Sequence, residues 1–208
     1  MRIANHVIVT NNNITFNLIS RSLQTLSFCL ILPKFDVHFS LFLFQRLEMT
    51  EYFTINDINE VELDAERQRT LAKLGEIVPQ DSFFEVGSTA VPGVIGKQDL
   101  DFLVRVPKAR FSNTRSALDA VFQRNPNQLS TDIYQGYTVK SDMDVAIQLT
   151  IEGGPHDTFL EFLERLRKSA DLRTRYNDLK RKYDGKPMDD YRNEKRAFIE
   201  AAIIDSDH

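Results

Sequence analysis

The sequence predicts an α+β fold, a mixed β-sheet flanked by helices with a C-terminal helical segment. Three patterns carry this expectation. Residues 83–106 read as strand, glycine bend and second strand, with apolar Phe83, Phe84 and Val86 before the bend. Residues 133–139 and 142–151 alternate, are rich in Tyr, Val, Ile and Thr, and form a hairpin turning near Lys140 and Ser141. Apolar residues then recur at helical spacing on both sides of these strands, in residues 57–78 and from Phe159 onward.

Composition bounds the function. At 208 residues the chain suits one domain, or one with an appendage, and can bury a sizeable core. The single cysteine, Cys29, excludes an internal disulfide and a cysteine-cluster metal site, and favours a reducing compartment, with the cytoplasm as the default. A net charge of -4 argues against nucleic acid as a partner. His6, His38, His156 and His208 show no metal-ligand spacing and no nucleophile pattern, so zinc chemistry and triad hydrolysis fit poorly. No apolar run approaches the roughly 20 residues a bilayer needs, so no membrane span is expected.

Residues 1–48 differ in character from residues 49–208. Residues 26–44 are crowded with Phe, Leu and Ile but interrupted by Pro33, Lys34, Asp36 and His38. Arg2, Arg21, Lys34 and Arg46 against Asp36 give a faint likeness to a transit peptide. The simpler expectation is an atypical extension outside the native domain, with Met49 as the biological start and 49–208 as the domain; a strand hairpin added to the domain is the alternative. Asn13-Ile14-Thr15 matches a glycosylation acceptor, a pattern that also occurs by chance.

Within the domain, Val61, Ala65, Leu71, Leu74, Ile77 and Val78 predict an amphipathic helix that ends at Pro79, with Glu66, Arg67 and Arg69 on its solvated face. Residues 108–123 predict a second helix, ended before Pro126. Gly153, Gly154 and Pro155 break the last strand, and Asp157 or Thr158 caps a helix striped by Phe159, Phe162, Leu163 and Leu166. Residues 172–183 and 189–204 are helical, separated by Gly185 and Pro187.

The chemistry concentrates in residues 83–106. At Gly87 the backbone lacks a Cβ and can approach a phosphate, and Ser88 and Thr89 follow with hydroxyls. Asp99 and Asp101 share one side of the next strand with Leu103, while Leu100, Phe102 and Val104 share the other. Paired carboxylates repel, and a divalent cation relieves that repulsion; magnesium is the natural candidate, since it takes one or two carboxylates together with substrate phosphates. Asp144, between Met143 and Val145, becomes a third carboxylate if its strand lies beside the first, with Asp142 as the competing choice. Lys97 either contacts phosphate or offsets the acidic pair. The bland alternative is a loop with two solvent-facing acids.

Gly-Ser followed by Asp-x-Asp between apolar residues resembles the signature of the nucleotidyltransferase fold shared by DNA polymerase β. The fuller string GSTAVPG, with Lys97 and the acidic pair after it, resembles the GrpB-like family, regarded as nucleotidyltransferases predicted from sequence without an assigned substrate. Tyr176, Leu179, Lys180, Tyr191, Lys195, Phe198 and Ile199 are similar to that family's closing pattern, so the likeness runs from about Ile55 to about Ile203. Where those relatives tend to carry histidines along the later strand, this chain has Gln148 and Thr150. The resemblance implies a nucleotidyltransferase-like sheet, and Lys180 and Lys195 as cleft-facing cations on the phosphates.

The implied reaction moves a nucleoside monophosphate from a nucleoside triphosphate to an unknown small-molecule or protein acceptor, with Asp99, Asp101 and Asp144 as catalytic and metal-holding residues and Gly87, Ser88, Thr89, Lys97, Lys180 and Lys195 on the phosphates. A non-catalytic nucleotide-binding or regulatory module on the same fold is the other reading. A kinase is excluded: in a phosphate-binding loop ending at Gly96-Lys97, a glycine would stand where Val91 is and Ser or Thr where Gln98 is.

Overall fold

The computed structural model describes residues 6–10, 13–18, 26–31, 51–57 and 59–204. The chain divides into two compact units, Met1–Met49 and Thr50–His208. In the first, β1 (His6–Thr10), β2 (Asn13–Leu18) and β3 (Leu26–Ile31) form an antiparallel sheet in the order β1-β2-β3. Met49, His38 and His208 lie outside the described residues.

In the second unit, Asn59 caps α1 (Glu60–Gly75) by accepting a hydrogen bond from the Glu62 amide. The buried stripe of α1 is Leu63, Glu66, Thr70 and Leu74. This corrects the expected face. Val61 is 80% exposed, whereas Glu66 is buried because Arg69 and Thr70 both donate to its carboxylate. A short 3-10 turn, Gln80–Ser82, leads into β4 (Phe83–Val86), and residues 87–99 connect it to β5 (Leu100–Val106). The next helix, α2 (Lys108–Asp119), stops earlier than expected, and Val121 is exposed beyond it. There follow β6 (Gln123–Arg124), β7 (Tyr134–Thr138) and β8 (Val145–Ile151), and then α3 (Phe159–Lys168), α4 (Ala170–Tyr183) and α5 (Met188–Ile204).

Thr158 occupies the N-cap position of α3 but makes no side-chain cap bond. Asp157 instead accepts from the Gly153 amide and from Arg105, which fixes the turn where Gly153 adopts a φ of +66°.

The sheet order is β4-β5-β8-β7-β6, with β5 and β8 parallel and the other neighbours antiparallel. It is therefore the expected mixed sheet. Its two faces follow from the period of two. Leu100, Phe102, Val104 and Val106 join Ile147 and Leu149 in a core with Leu63 and Leu74 of α1 and Phe111 and Leu118 of α2. Leu103 and Val86 belong to a second core, with Leu163 and Leu166 of α3 and Leu172 and Tyr176 of α4. Asp101 shares the face of Leu103, so its carboxylate points toward α3, α4 and α5.

Residues 51–55 fasten the start of α5. The Phe53 ring stacks on Tyr191 at 3.8 Å between centroids, the Met188 amide donates to the Glu51 carbonyl at 2.7 Å, and Arg192 pairs with the Glu51 carboxylate at 2.8 Å.

Candidate active site

Gly87 turns the chain out of β4 with a φ of +78°, a conformation glycine adopts at little cost. The turn brings backbone and acid together: a Cβ on Gly87 would lie 2.6 Å from Asp101 Oδ2. In the sheet Asp101 stands opposite Val86 on β4 and beside Ala146 on β8. Gln148, two residues along β8, donates from Nε2 to Asp101 Oδ1 at 3.3 Å.

Electrostatics mark the same spot. Burial and then the charge of Asp99 push the Asp101 carboxyl up to about 6, against the pull of Lys195 and of the Gln148 hydrogen bond. Asp99 sits one residue before β5 begins. Lys195, on α5, is partly buried; burial lowers its ammonium, but Tyr191, Asp101 and Asp99 outweigh that and hold it above its ordinary value. Two carboxylates and one ammonium thus act on one another where sheet and α5 meet.

Asp101 and Lys195 open onto a cleft of about 620 Å³, which Asp99 does not itself line. Gly87, Asp101, Gln148 and Tyr134 line it from the sheet, Phe159, Phe162, Leu163 and Leu166 from α3, and Arg192, Lys195 and Arg196 from α5. Tyr134 and His156 carry no sequence signal as site residues, and Arg192 and Arg196 stand in the sequence only among the basic residues of the C-terminal helices from which one or two cleft-facing cations are expected, with Lys180 and Lys195 the preferred pair. Burial and then the charge of Asp101 push the Tyr134 phenol up to about 12. The Tyr134 ring lies 5.0 Å from that of His156, which also borders the cleft.

Other expected site residues are placed elsewhere. The Lys180 side chain is buried at 1% exposure, donates to the Ser88 hydroxyl and to the Ile95 carbonyl, and does not line the cleft. Burial and then the neighbouring Lys195 charge push its ammonium down to about 7. Beside it Asn177 accepts from the Ile95 amide and donates to the Gly93 carbonyl, so α4 holds the loop that follows Gly87. The Ser88 hydroxyl is engaged by Lys180, and the Thr89 hydroxyl is enclosed with no hydrogen-bond partner among the described residues.

Asp144 is exposed and pairs with Lys97 at 3.1 Å. Burial lowers the Lys97 ammonium, but Asp144, Asp99 and Glu51 together raise it. Among the described residues no group of three or more His, Cys, Asp or Glu side chains is placed to hold a metal ion. The acidic centre is a pair, and a cation there would draw its remaining ligands from water and substrate phosphate, which is the way magnesium is commonly held. The donor set of Asp99 and Asp101 therefore fits that ion. No helix among the described residues is long and apolar enough to cross a membrane.

Comparisons with known proteins agree with this architecture. A UPF0157 protein of Vibrio cholerae is 31% identical over 132 residues, covering 63% of this chain and 70% of that protein. The crystal structure of the conserved protein GrpB from Enterococcus faecalis superposes with a TM-score of 0.55 at 15% identity, covering 74% of this chain and 99% of that one, and so shares its α+β fold. The family model for GrpB protein matches residues 58–204, which contain the whole cleft, and the chain belongs to the GrpB family.

Proposed function

We propose that the cleft binds a nucleoside triphosphate and transfers its nucleoside monophosphate to an acceptor hydroxyl. The observation that carries this reading is the convergence of a Cβ-free bend, Gly87, with the carboxylate of Asp101, which feels the charges of Asp99 and Lys195. The missing Cβ at Gly87 makes room for the Asp101 carboxylate at the cleft wall, and Lys195 balances charge on the phosphates as it shifts toward the leaving group. Asp99 and Asp101 would hold magnesium, which when bound neutralises charge on the attacking and departing oxygens. In the step itself the acceptor oxygen bonds to the α-phosphorus and the bond from that phosphorus to the bridging oxygen breaks. Pyrophosphate departs and the hydroxyl proton passes to water.

Asp144 favours a second reading, a nucleotide-binding module without transfer, because its carboxylate pairs with Lys97 rather than joining the acidic pair. Titration calorimetry with each nucleoside triphosphate, with and without magnesium, tests binding, and a pyrophosphate-release screen over hydroxyl acceptors tests transfer. Asp99→Ala is expected to abolish magnesium-dependent binding and turnover while thermal unfolding stays cooperative. Identical nucleotide and magnesium binding by Asp99→Ala and the unaltered protein would falsify the site. Binding without pyrophosphate release supports the module instead.

A further inference from the structure

The cleft is chemically unlike at its two ends, and, if it takes a nucleotide as proposed, this sets how the ligand lies. Strand register fixes the order across the sheet. Asp101 on β5 neighbours Ala146 on β8 and, beyond it, Thr138 on β7, whereas Tyr134 neighbours Thr150 four residues further along β8, so the path from the carboxylate to the aromatic ring runs diagonally over one face of the sheet.

At the Asp101 end Lys195 lines the cleft, Arg196 follows it on α5 and lines the same cleft, and neither makes an ion pair or hydrogen bond with a described residue. Arg192, by contrast, is already paired with Asp189 and Glu51. Cations not held in an ion pair, Lys195 acting on the nearby acids only through space, keep their hydrogen-bond donors for an external polyanion. At the β7 end the lining changes to rings and aliphatic carbon. Tyr134 and His156 lie with their rings 5.0 Å apart, and the Tyr134 hydroxyl is anchored to Gln128 at 3.5 Å. Leu129, which also lines the cleft, is 52% exposed and offers aliphatic surface there. A flat, weakly polar ring would cover it.

We propose that the nucleotide lies diagonally over the strands, its phosphates on Lys195 beside Asp101 and on Arg196, and its base packed against Tyr134, His156 and Leu129. The β7 rim is then a base-binding wall that decides which phosphate compounds the cleft retains. Stacking of a base on an aromatic ring is worth about 1–3 kcal/mol, enough to separate a nucleotide from a bare polyphosphate by about fivefold or more.

Calorimetry in magnesium, comparing the tightest-binding of the four ribonucleoside triphosphates with inorganic tripolyphosphate, tests this without any variant. The nucleotide is expected to bind at least fivefold more tightly. His156→Ala should lose at least fivefold for the nucleotide and nothing for tripolyphosphate, His156→Phe should restore the nucleotide, and Arg196→Gln should weaken both ligands alike. Equal affinity of the unaltered protein for both ligands overturns the base-binding wall alone. An unchanged nucleotide affinity in a folded His156→Ala protein does the same. Failure to bind any polyphosphate overturns the nucleotide reading together with it.

Discussion

At the scale of single residues, two glycines with similar backbones separate conformational strain from loss of the site. Gly87 has a φ of +78° and Gly93 a φ of +83°, but a Cβ on Gly93 meets nothing within 4 Å, whereas one on Gly87 meets Asp101. Gly93→Ala should cost about 1 kcal/mol, the penalty of a left-handed alanine, and leave ligand affinity intact. Gly87→Ala should cost more and weaken nucleotide binding by tenfold or more, read by urea unfolding beside calorimetry. Equal effects from the two would show that the Gly87–Asp101 approach has no role. Gly87 and Asp101 stand out in the sequence because a glycine after an apolar run and an Asp-x-Asp pair are local patterns within one short stretch. His156 and Tyr134 do not, and Arg196 is one of several basic residues of the C-terminal helices, because these side chains share a space only once α5, the turn after β8 and β7 close around it. Lys180 matched a family pattern, yet a motif position does not say which way a side chain points, and burial against Ser88 drew it into the interior.

At the scale of elements, α4 works as a clamp on the loop after β4. Asn177 uses both ends of its amide, accepting from Ile95 at 3.0 Å and donating to Gly93 at 2.8 Å. Asn177→Ala leaves two backbone groups without that partner and should destabilise the protein by about 2 kcal/mol. Asn177→Asp, which keeps only the bond from Ile95, should fall between. A midpoint in urea unchanged by either substitution would show that α4 does not clamp the loop. Strands and helices were readable in outline because periods of 2 and 3.6 survive in β5, β8 and α3. The face of α1 was misread because Glu66, an acid, occupies a buried position that only Arg69 and Thr70 make tolerable. Composition alone cannot announce such local neutralisation.

For the whole molecule, the two titrating groups at the site predict an unusual pH profile. The folded Asp101 carboxyl, at about 6, lies above its ordinary 3.8, so its contribution is present below about pH 4 and is lost as pH rises through about 6. The folded Lys180 ammonium, at about 7, lies below its ordinary 10.5, so the unfolded chain holds the extra proton between those values and stability rises with pH across that window. The two slopes give a minimum between about pH 6 and 7. Asp101→Asn should flatten the acidic limb, gaining about 2 kcal/mol at pH 7 after allowance for solvent access, and should make no difference near pH 4. Lys180→Met should flatten the alkaline limb. Urea midpoints measured from pH 4 to 9 check both limbs, and a profile without a trough sinks the assignment. The strap of residues 51–55 has its own bearing on experiment: because Glu51 and Phe53 seat the first turn of α5, trimming the chain past residue 55 should free the helix that carries Lys195 and Arg196. A protease that nicks near residue 56 would then abolish ligand affinity by unseating α5 and releasing Arg192 from Glu51, without cutting any residue that lines the cleft.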